Sequence, residues 1–220
     1  MLTLSNTSVM NMENAIRGMR NPLQSWDKID SGWIDFEDWD YGPGVSDGTG
    51  YVFVLGPNDL RLAKKLRNAG SDHRKYLRQI FVSVDILAPL YWFKEFDTYK
   101  ISTVANSTST MHTIHKKKFE LDDFSHDHMS DHAEAVLSYT ILNLNLAREN
   151  FLETNDKQYW YDMIQLLPSS YNQLRTVTLN YENLINMYHS RKNHKLQEWH
   201  TFCEWIETLP YAKELIIGGE

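Results

Sequence analysis

Apolar residues recur along this chain with two periods, and the change from one to the other marks its elements. Tyr51-Val-Phe-Val-Leu55 is a short β-prone run. Pro57-Asn58 then opens a helix with the apolar stripe Leu60, Ala63, Leu66 and Ala69, closed by Gly70, the residue type that most readily follows a helix end. Gln79 to Ile86 is apolar and β-branched and predicts a buried strand, after which Pro89 starts a helix holding Leu90, Tyr91, Phe93, Lys94 and Lys100. Ile101 to Ser109 is crowded with Ser, Thr and Asn, whose side chains compete for the backbone, and reads as a loop. Over 130–152, Ala133, Val136, Leu137, Ile141, Leu144 and Ala147 keep the helical period behind Ser130 as a cap. A further helix runs from Asp156 to Leu167 and stops at Pro168; the β-prone Arg175-Thr-Val-Thr-Leu179 leads into a helix holding Leu184, Met187, Tyr188 and Arg191; a last helix covers 195–208.

Residues 27–50 are rich in Asp, Gly and Trp and end in YGPGVSDGTG, which reads as one long loop. Its Gly42, Gly44 and Gly50 lack the Lys-Ser/Thr of a phosphate-cradling loop. With helices outnumbering strands and no internal repeat, the expectation is a single α/β (α+β) domain over 1–220, a small and mostly antiparallel sheet flanked by helices.

Composition narrows this further. At 220 residues and 42% hydrophobic the chain can bury one substantial core. Its net charge of −7 argues against a general nucleic-acid coat, which needs many Lys and Arg to neutralise phosphates. The one dense basic run, HKKKF at 115–119, reads as a solvated loop. No apolar run is long enough to cross a membrane, and the polar N-terminal stretch lacks the pattern of a secretion signal, so the expected location is cytoplasmic, with no membrane partner. Cys203 has no second cysteine to pair with and falls on an apolar helix face, where it reads as a small core residue.

Two stretches hold candidate chemistry. The first is Ala88-Pro89, then Lys94-Glu95-Phe96, then Thr98-Tyr99-Lys100, then a polar loop carrying Asn106, Ser107, Ser109, Met111 and His112. The second is Leu167-Pro168, Asn180, Arg191 and Gln197. Taken together they resemble the flavin-dependent thymidylate synthase (ThyX) family. Its members carry Ala-Pro at a strand end, then a helix with Arg-Gln-Trp, then Arg-His-Arg and a loop ending in Ser-x-Arg-Tyr. Further on come Leu-Pro, an Asn at a helix start, an Arg and a Gln. Spacing agrees without a gap from Pro89 to Lys100 and from Asn180 to Gln197, and with one extra residue in the loop between. A weaker match upstream sets Ala69-Gly70-Ser71-Asp72-His73 beside the family's Gly-His-Glu-Thr turn, with Ser25 near the end of a first helix; the resemblance covers 60–209.

The resemblance implies a ThyX-like fold and a composite site. FAD would be held by His73, Lys94, Glu95, Thr98, Tyr99, Lys100, Asn106, Ser107 and Asn180; a dUMP-like pyrimidine nucleotide by Ser109, Met111, Arg191 and Gln197; Ser109 and Arg191 would serve catalysis. It also implies NADPH and methylenetetrahydrofolate as co-substrates and a homo-oligomer, a tetramer. The chemistry is thinned, however. Thr98-Tyr99-Lys100 replaces Arg-His-Arg, and Met111 stands where the family has an arginine whose planar fork grips phosphate in a bidentate manner. Two readings follow: a divergent methyl-transferring flavoenzyme, or an inactive nucleotide-binding or assembly module on the same scaffold. Tyr99 is an aromatic in place of His and suits stacking on a flavin or base, whereas Trp92, Trp160, Tyr161, Trp199 and Trp205 lie at helical spacing and read as core. His126, His128 and His132 among Asp123, Asp127 and Asp131 read as a polar loop, and no metal is expected.

Overall fold

β-branched residues on alternate positions build the centre of the molecule. In the computed structural model, which describes residues 1–218, Val82, Val84, Ile86 and Ala88 of one strand are all fully buried while Phe81, Ser83, Asp85 and Leu87, which alternate with them, are not. Along the chain the elements are β1 (Thr3–Met10), α1 (Met12–Gly18), β2 (Gly32–Asp35), β3 (Val45–Ser46), β4 (Tyr51–Val54), α2 (Pro57–Asn68), β5 (Phe81–Pro89) and α3 (Leu90–Phe96). There follow β6 (Val104–Ser107), α4 (Thr110–Thr113), α5 (Asp131–Thr154), α6 (Lys157–Leu166), β7 (Asn172–Asn180), α7 (Tyr181–Arg191) and α8 (Gln197–Glu207). One sheet has the order β1-β5-β7-β6; a second, antiparallel throughout, has the order β2-β4-β3. The class is therefore α+β with small, mostly antiparallel sheets flanked by helices, with two sheets where the sequence suggested one.

The described residues form two compact units. The first comprises 1–3, 86–98 and 106–176. Here α5 and α6 pack together over Ile114, Phe119, Phe124, Leu137, Leu144, Ala147 and Met163. Asn145 is buried in that core and fully used, its amide donating to the Phe119 carbonyl and accepting from the Phe119 N–H, each at 2.9 Å. The opposite face of α5 leaves Val136, Tyr139, Leu142 and Leu146 exposed.

The second unit comprises, of the described residues, 4–85, 99–105 and 177–218. Its helices α7 and α8 bury Leu184, Met187, Trp199, Phe202 and Ile206. Cys203 is buried among them, and burial pushes its thiol up to about 11, which keeps it in the unreactive protonated form. Arg20 and Asp59, 4% and 0% exposed, form an ion pair at 2.6 Å. Asp59 also accepts from the Asp30 and Ser31 N–H groups and the Ser31 hydroxyl, so its lone pairs are satisfied inside the fold. Asp30 in turn caps the start of α2 through the Asn58 and Asp59 N–H groups, and Gly56 lacks the Cβ that would collide with it.

Several elements differ from the sequence expectation for local reasons. Helix α3 ends at Phe96, so Lys100 lies beyond it, and the polar stretch 101–109 contains β6. β6 is exposed at all of its positions and β1 at most of its own, so neither shows the alternation that marks a half-buried strand. The first helix, expected to end near Ser25, is α1 and ends at Gly18. Residues 27–50 hold β2 and β3, which pair with β4; the Pro and Gly signals there mark the turns between strands rather than one long loop. The helices α2, α5, α6, α7 and α8 stand where the periodicity placed them, within a few residues at each end. Of the aromatics read as core, Trp92 and Trp199 are fully buried, whereas Tyr161 is exposed on α6.

Candidate functional site

Helix α7 starts with a reciprocal cap. The Asn183 N–H donates to Asn180 Oδ1 at 3.0 Å and the Asn180 N–H donates to Asn183 Oδ1 at 3.2 Å, while Asn183 Nδ2 donates to the Ile101 carbonyl at 2.8 Å. Asn180 is thus buried and tied to the helix start, and the adjacent Ile101 segment is tied to it. Three turns on, Arg191 closes the same helix, half-buried, with Nε donating to the Tyr99 hydroxyl at 2.9 Å. Its guanidinium carbon lies 4.8 Å from the centroid of the buried Trp199 ring and 5.5 Å from that of Tyr99. His194 and Tyr99 each meet Trp199 edge-on at 6.2 Å. The structure thereby joins Tyr99 and Arg191, 92 positions apart in sequence. Lys100 and Gln197 are exposed in the same unit, Gln197 at the first position of α8.

A second feature of this unit is a cavity of about 580 Å³ whose lining includes Met19, Ser25, Leu66, His73, Lys75 and Tyr76. Ser25 and His73, set side by side only by the weak upstream match, thus line one cavity. Gly70 makes this possible: its φ of +102° turns the chain sharply after α2, and the His73 N–H returns to its carbonyl at 3.0 Å. Arg20 reaches the Ser25 hydroxyl at 3.4 Å while paired with Asp59, which fixes the loop that presents Ser25.

In the first unit, Lys94, Thr98, Asn106, Ser107 and Met111 are exposed, and Glu95 is half-buried. Ser109 caps the short α4, its hydroxyl accepting from the His112 N–H at 3.0 Å. The Met111 carbonyl accepts from Trp160 Nε1 at 3.1 Å. The adjoining strand β7 carries Arg175, whose guanidinium lies 3.8 Å from the Phe93 ring centroid. Its Nη1 meets Asp97 at 2.7 Å and its Nε donates to Gln173 Oε1 at 3.0 Å. Gln173 Nε2 then donates to the Thr108 carbonyl at 2.8 Å. Nothing in the sequence singles out Arg175: it sits in a β-prone run, and of its partners only Gln173 is near in the chain, Asp97 lying 78 positions away.

No family model and no curated protein matches this sequence. Solved structures do. ThyX from Helicobacter pylori, crystallised with FAD and dUMP, is similar over 98% of this chain and 97% of its own, at 18% identity and a TM-score of 0.65. A second H. pylori ThyX structure with FAD and dUMP gives 96% and 98% coverage, 17% identity and a TM-score of 0.64. The chain has the ThyX fold. A UMP/dUMP methylase, PolB from Streptomyces cacaoi bound with 5-Br dUMP, is also similar, over 96% of this chain and 92% of its own, at 12% identity and a TM-score of 0.54.

On the ThyX-like scaffold, the residues that the motif spacing selected fall into distinct environments. Asn180 and Arg191 are held by packing on α7, whereas most of Lys94 to Met111 stands in solvent. Among the described residues, no group of three or more His, Cys, Asp or Glu side chains is placed to hold a metal ion; His126 faces Glu134 at 3.5 Å. No helix among them is long and apolar enough to cross a membrane.

Proposed function

We propose that this protein is a divergent ThyX-like enzyme that transfers a one-carbon unit to a pyrimidine deoxynucleotide of the dUMP type, with FAD as cofactor and NADPH and methylenetetrahydrofolate as co-substrates. The observation that carries this reading is Arg191, fixed at the end of α7 against Tyr99 and Trp199. A guanidinium oriented by a hydrogen bond at Nε and by an aromatic face has lost most of its rotamer freedom before a ligand arrives, so it binds an anionic or carbonyl-rich ligand with less ordering cost.

The 580 Å³ cavity fits part of a cofactor of this class. Its size lies within the range of ligand pockets, roughly 300–1,000 Å³. Leu66, Met19 and Tyr76 offer apolar surface, Ser25 and His73 offer hydrogen bonds, and Lys75 and Asp72 offer one charge of each sign. A bound flavin would supply the redox and carrier chemistry of the transfer. The chain's own residues bind and orient: Arg191 and Gln197 for the nucleotide, Ser109 with Asn106 and Ser107 along the polar loop, Tyr99 as the group that aims Arg191. The exposed apolar face of α5, with Tyr139 at 68% and Leu142 at 54%, supports assembly into a homo-oligomer, the tetramer expected of this scaffold.

The second reading, a nucleotide-binding module without turnover, is favoured by one observation: Thr98, Tyr99 and Met111 replace three groups that carry charge chemistry in ThyX. Adding FAD to purified protein separates the two. Uptake of flavin with its oxidised absorption band, and methylation of dUMP in the presence of methylenetetrahydrofolate and NADPH, is the expected result. Protein that binds dUMP but takes up no FAD would establish the module instead.

A further inference from the structure

The reading above leaves a chemical gap, because Met111 cannot grip a phosphate. We infer that Arg175 supplies such a grip, forming with the Thr108–Ser109 segment a subsite within the first unit for a phosphate monoester. This rests on the pyrimidine-nucleotide reading.

Three contacts fix the guanidinium. Phe93, fully buried, sets its plane at 3.8 Å; Gln173 Oε1 takes the Nε proton at 3.0 Å; and Asp97 takes an Nη1 proton at 2.7 Å. Gln173 continues to the Thr108 carbonyl, and the Thr108 N–H donates to the Leu174 carbonyl at 2.9 Å. The arginine is therefore one side chain away from the polar loop that carries Ser109. Its Nη2 has no partner among the described residues, which leaves the terminal edge of the fork occupied only by Asp97.

That occupant is weakly held. The Arg175 side chain is 14% exposed and Asp97 is 52% exposed, and an ion pair with so wet a partner contributes little. A phosphate dianion brings twice the charge of a carboxylate and oxygens that match both terminal nitrogens, so it displaces Asp97 rather than joining it. Asp97 is in effect an internal stand-in for the ligand.

Calorimetric titration of the purified protein with dUMP and with deoxyuridine tests this, because only the former carries the phosphate. Wild type should bind dUMP more tightly than the nucleoside. Arg175→Gln should lose roughly ten- to a hundredfold in dUMP affinity, the worth of charge-assisted hydrogen bonds, and leave deoxyuridine unchanged. Arg175→Lys should fall between, keeping charge but not the fork. Asp97→Asn should tighten dUMP binding by removing the competitor, an effect of opposite sign that a purely structural role does not produce. An unchanged dUMP-to-deoxyuridine ratio in a folded Arg175→Gln protein would overturn the subsite while leaving the nucleotide reading in place. If Arg175→Gln fails to fold, unchanged dUMP affinity in Asp97→Asn overturns it. Wild type that binds neither compound removes the nucleotide reading and the subsite with it.

Discussion

Residues 94–100 and 180–197 both resemble the ThyX pattern in spacing, and 101–112 follow it with one extra residue, yet the two stretches are built differently. In the second stretch the residues between the motif positions are core: Leu184 and Met187 are fully buried, Asn180 is 2% exposed and caps the helix, and Arg191 comes at its last turn. In the first stretch Lys94, Thr98, Lys100, Asn106, Ser107 and Met111 are exposed, and beyond Phe96 the chain runs through turns, an exposed strand and a one-turn helix. On α7 packing dictates the spacing and carries Arg191 to the end of the helix; in the first stretch no such packing holds Thr98 and Met111, which are exposed.

Leu184→Ala should remove about 2–5 kcal/mol of stability, read as a shift in the urea midpoint, since the side chain is fully buried on α7. A loss below about 1 kcal/mol would mean that α7 is not the rigid frame described here. Asn180→Ala should cost about 0.5–2 kcal/mol through the lost cap. It should also loosen the Ile101 segment that Asn183 holds, seen as faster amide exchange there. Met111→Arg should leave stability within about 0.5 kcal/mol, because the side chain is 49% exposed, and should raise dUMP affinity by restoring the guanidinium of the family pattern. Reduced dUMP affinity in that variant would mean that the polar loop does not face the nucleotide, and the parallel between the two stretches would break.

The same contrast explains what could be read before the structure. The long helices and β5 were legible because burial forces their periodicity, and Arg191 was legible because α7 fixes its distance from Asn180. Strand β6, Val-Ala-Asn-Ser with every position exposed, shows no alternation for a sequence argument to use, and β1 is nearly as polar. The union of Ser25 with His73 in one cavity depends on a positive-φ turn at Gly70 and on Arg20 reaching across from its pair with Asp59. Arg175 was invisible for a related reason: its partners Asp97 and Phe93 are about 80 positions away, and only the fold brings them together. Tyr99 reads as an aromatic in place of a histidine, and in the fold its hydroxyl accepts from Arg191 Nε.

The central question is whether a pyrimidine deoxynucleotide sits against Arg191. Titrating dUMP into the wild-type protein and into Arg191→Ala by isothermal calorimetry is the direct measurement, with far-ultraviolet circular dichroism to confirm that α7 is intact. Saturable wild-type binding that weakens by about tenfold or more in the variant is the predicted result, the loss of at least one charge-assisted contact. Equal affinity in the two proteins, or no dUMP binding by the wild type with FAD supplied, would contradict it.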